Sequence, residues 1–229
     1  GFPGILVETI AIFINNLAAP ANTKVFSLTH RLHLTQPQAY IFDPELPYWI
    51  IYRNQLFDSV CRKLDFDVFE VFRDRQLTNK LLSSSGELRV LKSRNLSDDG
   101  KEILDIPGYD SYISYAAAKP LSVFQYLDAP NVYLTPNMTY KPRMMKKPPH
   151  CVVNGSLAIL IPKGGIVLTE KQLAYFSSEE YRAFYQIARN FQTRSLNVDA
   201  CSVFFYGLLR DEAKPAPEKF DTSVQLSFL

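Results

Sequence analysis

The sequence between residues 69 and 100, FEVFRDRQLTNKLLSSSGELRVLKSRNLSDDG, contains two short apolar runs, each followed by a polar loop. The first run, Phe66 to Phe72, is aromatic and aliphatic, which predicts a buried strand. It leads into Arg73 to Lys80, where basic and amide side chains are crowded. A second strand is predicted over Leu88 to Leu91, and it is followed by Lys92 to Asn95. These side-chain types reach phosphates and base edges. The pattern is compatible with nucleic-acid binding, although composition alone favours two solvated loops on a β domain.

Composition predicts a soluble globular protein of one large domain or two small ones. The chain has 229 residues, of which 47% are hydrophobic and 21% charged, and these shares are ordinary for a folded domain. Aromatic residues make up 13%, which favours strands over helices. The expected fold class is α+β, strand-dominated with a few packing helices. A formal net charge of +2 is too small to indicate nucleic-acid binding by itself.

The cysteines and the apolar runs point to a reducing compartment. Cys61, Cys151 and Cys201 are odd in number and far apart, so they support neither a zinc site nor a disulfide framework. A cytoplasmic location is expected. No apolar run approaches the 18 or so residues of a membrane span, and no signal-peptide pattern opens the chain. The abrupt start at Gly1, without methionine, predicts a fragment of a longer protein.

Several elements are predicted in the N-terminal half. Ile5 to Ile14 is almost continuously apolar and Lys24 to Arg31 alternates with a period of two, so an antiparallel pair of strands is expected. Asn54 is a suitable N-cap for a helix. The apolar stripe of that helix comprises Leu56, Phe57, Val60, Cys61 and Leu64.

Further elements are predicted in the C-terminal half. Val123 to Tyr140 suggests two short strands. Cys151–Val153 and Ser156–Ile161 flank Asn154-Gly155, which predicts a β-hairpin. Capping boxes, Thr169 with Gln172 and Ser177 with Glu180, predict two helices.

Charge is unevenly distributed along the chain. Two spans lack Asp and Glu, residues 129–169 and residues 181–198. Because basic residues release counterions from a phosphate backbone, a nearly neutral protein with such spans can still present a basic DNA-binding face. The alternative is chance clustering on a solvated surface. The basic residues of the two spans are Lys141, Arg143, Lys146, Lys147, Lys163, Arg182, Arg189 and Arg194.

Motifs for catalysis are not found. Lys147-Pro148-Pro149-His150 has neither the amide or carboxylate nor the stacking aromatic that amino-methyl transfer requires. Gly164-Gly165 lacks the context of a phosphate-binding loop. His30 and His33 would lie on opposite faces of a strand and have no third ligand nearby. The chain is expected to carry out no chemistry alone.

Four segments carry a likeness to a known family. They are Gly4 to Phe13, Phe69 to Lys80, Gly86 to Leu96, and Val132 to Asn137 with Lys141 to Arg143. In this order they resemble the C-terminal part of gamma-group adenine-N6 DNA methyltransferases of type II restriction–modification systems, and in particular the TaqI-like C-terminal specificity domain. Asp74 departs from the pattern because it stands where glycine is common.

The resemblance implies an organisation and a function. Residues 1–48 would be the end of a methyltransferase catalytic domain, including its last strands, and residues 49–229 a DNA target recognition domain. Double-stranded DNA would be the partner, together with a cognate restriction endonuclease. S-adenosylmethionine would bind in the missing catalytic domain and no cofactor in this fragment. The expected DNA contacts are Arg73, Arg75, Gln76, Thr78, Asn79, Lys80, Arg94, Asn95, Lys141, Arg143, Lys146, Lys147 and Arg194.

Two other interpretations stay open. A stand-alone specificity subunit would recruit separate methylase and nuclease chains, but it should contain a second copy of the recognition pattern and long spacer helices. A protein-interaction β domain would bind no DNA at all.

Overall fold

The computed structural model describes residues 22–193 and 196–210, together with Ala11 and Phe13. Mixed strands and short helices make up this part of the chain. The strands are β1 Asn22–Ser27, β2 Leu32–Pro37, β3 Leu64–Asp65, β4 Phe69–Phe72, β5 Leu88–Leu91, β6 Ser111–Ile113, β7 Tyr133–Pro136, β8 Met145–Lys146, β9 Cys151–Val153, β10 Leu157–Pro162 and β11 Leu208–Leu209. The α-helices are α1 Gln38–Ile41, α2 Gln55–Lys63, α3 Tyr115–Ala118, α4 Glu170–Tyr175 and α5 Glu179–Ala188. The predicted α+β class, with more strand than helix, is confirmed.

A four-stranded antiparallel sheet, in the order β4-β10-β7-β8, forms the middle layer. Strand β10 lies at its centre, and Leu157 to Leu160 are all buried. Successive side chains of a strand point to opposite faces, so a strand covered on both sides needs apolar residues throughout. The run Leu-Ala-Ile-Leu-Ile at 157–161 meets this requirement.

The two faces of this sheet pack against different partners. Ala158 and Leu160 join a core formed with α2 and α5, whose Phe57 and Phe184 rings stack at 5.1 Å. Leu157 and Ile159 join a second core formed with β5 and β9. The architecture therefore has three layers: helices, the central sheet and a smaller sheet.

The smaller sheet has the order β6-β5-β9. Strand β5 pairs antiparallel with β6 and parallel with β9, where Leu91 is opposite Val153. The predicted strand Leu88–Leu91 is confirmed without a shift. The first predicted strand, Phe66 to Phe72, is shorter than expected: Phe69–Phe72 forms β4, whereas residues 66–68 lie between β3 and β4, with Asp67 at φ 59°.

The predicted hairpin at Asn154-Gly155 is wrong. Strand β9 belongs to the smaller sheet and β10 to the central sheet, so the chain crosses between layers here. A two-residue type I′ turn needs positive φ at both central residues, and neither residue has it. The Asn154 side chain instead accepts hydrogen bonds from the backbone N–H and hydroxyl of Ser156, at 3.1 and 2.6 Å. We call residues 154–156 the crossover.

Helix signals in the sequence were accurate. Asn54 accepts a hydrogen bond from the Phe57 N–H at 3.0 Å and starts α2. Thr169 and Gln172 form the predicted capping box of α4. The predicted cap of α5 was one residue off, because the cap is Ser178 and not Ser177.

The strand predicted before residue 128 is wrong, since residues 122–126 form a 3-10 helix.

Strand β1 pairs antiparallel with β2. The partner predicted for this segment, residues 5–14, lies outside the described residues except for Ala11 and Phe13. Contacts run across the predicted domain boundary at residue 48. The Tyr48 hydroxyl donates to the Ala188 carbonyl at 2.8 Å, and Arg53 forms ion pairs with Asp43 and Asp58.

In the described part of the chain, no helix is long and apolar enough to cross a membrane.

Gly155→Ala should destabilise the protein. A methyl group at this position would lie 2.7 Å from the Asp74 carbonyl oxygen, and relieving such a contact costs about 1–3 kcal/mol. Urea denaturation measures the change. The exposed Lys171→Ala on α4 is a control, for which a change within roughly 0.5 kcal/mol is expected. Equal unfolding midpoints for the two variants would contradict this account of the crossover.

Candidate nucleic-acid interface

Asp74 shapes the first polar loop. Its carboxylate accepts hydrogen bonds from the backbone N–H groups of Gln76, at 3.3 Å, and Leu77, at 2.8 Å. An aspartate side chain that binds backbone two and three residues ahead folds a tight turn without glycine. Asp74 therefore yields a compact loop at a position where glycine is not present. Asp74 is buried, and its backbone carbonyl lies against Gly155 of the crossover.

The side chains that follow Asp74 point into solvent. Arg75, Gln76, Thr78, Asn79 and Lys80 are exposed, and Arg73 is half-buried. None of the three cations in residues 73–80 forms an ion pair with any residue that the structure describes. Their charge is available to an external anion.

The second polar loop has a buried support. Asn95 is fully buried: its Oδ1 accepts from the Lys92 N–H, and its Nδ2 donates to the Leu104 carbonyl and to Asp110. The predicted contact of Asn95 with DNA is corrected, since every polar atom of this side chain holds the loop together. Arg94, in contrast, is exposed, and its guanidinium lies 4.6 Å from the centre of the Tyr109 ring.

Lys92 also contacts the Tyr109 ring. Its Nζ lies 3.9 Å from the ring centre and donates to the Tyr109 carbonyl and the Ser111 hydroxyl. Burial lowers the pKa of Lys92, because desolvation disfavours the ammonium form. Lys92 therefore orders the loop, while Arg94 is presented to solvent.

Asp110 also supports the second loop by accepting a hydrogen bond from Asn95, and its carboxylate is mostly buried. Burial alone would raise its pKa, but hydrogen bonds from the Ile106 N–H and Asn95, together with Arg89, hold the pKa below its usual value. The carboxylate is ionised at neutral pH and bonded on both oxygens.

The crossover brings the two loops together. The Ser93 N–H donates to the Ser156 hydroxyl at 2.9 Å, while Asp74 contacts Gly155 one residue earlier. A shallow depression beside the first loop is lined by Asn79, Leu82, Ser83, Ser84, Asp110 and Ser111. The exposed polar residues on these loops form one candidate surface, which we call the polar-loop surface. It comprises Arg73, Arg75, Gln76, Thr78, Asn79, Lys80 and Arg94.

Two predicted DNA contacts are corrected by burial. Arg143 donates to the carbonyls of Lys141, Ser93 and Leu96 at 2.9–3.2 Å, and Lys147 donates to those of Leu127 and Pro148 at 2.8 and 3.0 Å. Both are less than 8% exposed. Burial lowers the pKa of each. These cations satisfy backbone carbonyls inside the protein and are not available to phosphate.

Of the remaining predicted contacts, Lys141 and Lys146 are not part of the two polar loops. Lys141 is exposed but forms an ion pair with Asp98. Lys146 is exposed on the edge strand β8, opposite Tyr133, at the end of β7 away from the crossover. Arg194 lies outside the described residues.

Several cations of the acid-free spans are paired within the described residues. Lys163 pairs with Asp67, and Arg182 pairs with Glu179, which lies just before the second span. Arg189 is buried and donates to the carbonyls of Leu196 and Asn197. An absence of acids along the sequence therefore does not mean an absence in space.

Sequence reasoning missed two features. Tyr109, in a turn after Pro107-Gly108, carries no local signal of its role beneath Arg94. The β1–β2 hairpin exposes Phe26, stacked on His33 at 4.2 Å, and Leu28 beside Lys24 and Arg31. A third acid-free span, residues 9–42, could have drawn attention to this hairpin.

Metal binding has no candidate in the described ranges, where no group of three or more His, Cys, Asp or Glu residues is placed to hold an ion. Comparison with known proteins adds no assignment: the chain matches no protein-family model and no curated protein.

Arg143→Ala should destabilise the fold because three carbonyl oxygens lose their donor. We expect a loss of roughly 3 kcal/mol in the free energy of unfolding. Lys141→Ala, two residues away and exposed, should cost about 0–1 kcal/mol. Urea denaturation of both variants makes the comparison. An Arg143→Ala protein that unfolds like the parent but loses DNA binding would restore the original prediction for this residue.

Proposed function

We propose that this chain is a double-stranded DNA-binding domain that recognises a target sequence through its polar-loop surface. The observation that supports the proposal most is the grouping of exposed Arg, Lys, Gln, Asn and Thr side chains on two loops joined at one crossover. The cations among them, Arg73, Arg75, Lys80 and Arg94, have no acidic partner among the described residues.

The side-chain types on the two loops suit two roles in DNA binding, contact with phosphates and contact with bases. Lysine and arginine position a protein on the duplex through phosphates, whereas arginine and amide side chains also read base edges. The turn at Asp74 and the support at Asn95 hold both loops before DNA arrives. Such preorganisation reduces the entropy lost on binding.

We further propose that the domain serves a gamma-group adenine-N6 DNA methyltransferase of a restriction–modification system. This step rests on the resemblance of residues 4–13, 69–80, 86–96, and 132–137 with 141–143. In that arrangement a separate catalytic domain binds S-adenosylmethionine and the flipped adenine, while this domain sets the register on the duplex. A cognate restriction endonuclease would act on the same sequence.

Salt-titrated binding to a random-sequence duplex tests DNA binding directly. With four available cations, the slope of log affinity against log salt should be no steeper than about −4. Fluorescence anisotropy of a labelled duplex measures it. No binding at low salt would overturn the proposal in favour of a protein-interaction domain.

Removing cations from the loops should weaken binding to all sequences alike. For Arg75→Ala, Lys80→Ala and Arg94→Ala combined, we expect at least a roughly tenfold loss at low salt and a salt slope shallower by about 3. The matched control replaces Lys119, Lys146 and Lys171, three exposed lysines outside the polar-loop surface, with alanine. An equal loss in both triple variants would show that net charge, and not these loops, drives binding.

A further inference from the structure

We propose, resting on the DNA binding proposed above, that the polar-loop surface reads guanine, by donating hydrogen bonds to acceptors at the major-groove edge. Gln76 contributes as a donor only.

The orientation of the Gln76 amide is determined by its partner. The backbone N–H of Ser122 lies 2.6 Å from Gln76 Oε1. Ser122 begins the 3-10 helix of residues 122–126, where an N–H has no partner within the helix. A backbone N–H can only donate, so the amide oxygen must be the atom that meets it. The exposed end of the planar amide is therefore the NH2 group.

The carboxylates of Asp74 and Asp110 are already bonded within the protein. Asp74 is buried and accepts two backbone N–H groups. Asp110 accepts from Asn95, Arg89 and the Ile106 N–H. Cytosine presents only its N4 donor in the major groove and is read by a carboxylate. The described residues of the two polar loops offer no free carboxylate for that contact.

Adenine reading is similarly restricted. A bidentate contact to adenine needs an amide that donates to N7 and accepts from N6. Gln76 has its oxygen occupied, and Asn95 is buried. Asn79 is the amide on these loops that keeps both functions exposed.

The donors that remain match guanine. Arg73, Arg75 and Arg94 carry guanidinium groups with five N–H donors each and no acceptor. Guanine presents two acceptors in the major groove, N7 and O6, and arginine binds both together. A surface rich in donors and poor in acceptors therefore favours guanine over cytosine and over adenine.

Base analogues test the inference on the full chain. A bound sequence is first enriched from a random duplex library at low salt. The enriched duplex is then remade with 7-deazaguanine or 7-deazaadenine, each of which lacks the N7 acceptor. We expect guanines in the enriched site and a loss of roughly tenfold or more with 7-deazaguanine. A larger loss with 7-deazaadenine, or no loss with 7-deazaguanine, would overturn the guanine assignment and leave DNA binding intact.

Gln76→Glu isolates the donor. It keeps an oxygen for the Ser122 N–H and removes the NH2 group. The matched control is Gln55→Glu, which places the same charge at an exposed position in α2, outside the polar-loop surface. Gln76→Glu should weaken binding to the enriched site by roughly tenfold, a penalty that shrinks on the 7-deazaguanine duplex. The Gln55→Glu effect should be smaller and equal on both duplexes.

The outcomes separate the two proposals. An equal penalty for Gln76→Glu on both duplexes would overturn the role of Gln76. Failure of the parent chain to bind any duplex at low salt would overturn the proposed function itself. Circular dichroism of each variant verifies folding, and the analogue experiment needs no variant.

Discussion

The crossover at residues 154–156 is the constraint on which the two sheets and both polar loops depend. Its backbone closes the smaller sheet through the Asn154 N–H and the Leu91 carbonyl, 3.1 Å apart. One residue on, the Gly155 carbonyl accepts from the Asn137 side chain at the end of β7. Asp74 packs against the same glycine, and Ser93 bonds to Ser156. Segments distant in sequence are thus held at one point by a few short contacts.

This arrangement explains why a buried cation, Arg143, supports the second loop. A loop that passes between two sheets leaves carbonyl groups out of reach of water, and an unsatisfied buried carbonyl costs about 1–3 kcal/mol. Arg143 meets three such carbonyls, two of them in residues 93–96. The guanidinium therefore fixes the segment that presents Arg94 and contacts no phosphate itself. Arg143 thus holds the loop in place, whereas Arg94 is exposed to solvent.

Some of the fold could be predicted because the signals were local. Asn54 and Thr169 cap helices through contacts three residues away, and the strand at Leu88–Leu91 has the apolar character that a covered strand requires. The hairpin prediction at Asn154-Gly155 failed for the opposite reason. The same dipeptide can form a type I′ turn or a crossover. Here β9 pairs with β5, and β10 pairs with β4 and β7, so pairing between distant strands determines the outcome.

The sequence by itself determined the fold class, the main helices and the concentration of polar side chains after Phe72 and Leu91. Those properties depend on side-chain type and short-range spacing. Only the tertiary structure decided which of these side chains remain available: Arg75 and Arg94 are exposed, whereas Asn95, Arg143 and Lys147 are buried. It also decided that the Gln76 amide oxygen accepts a hydrogen bond from the Ser122 N–H. The physical reason is that burial and hydrogen-bond partners depend on segments far apart in the chain, which local pattern does not encode.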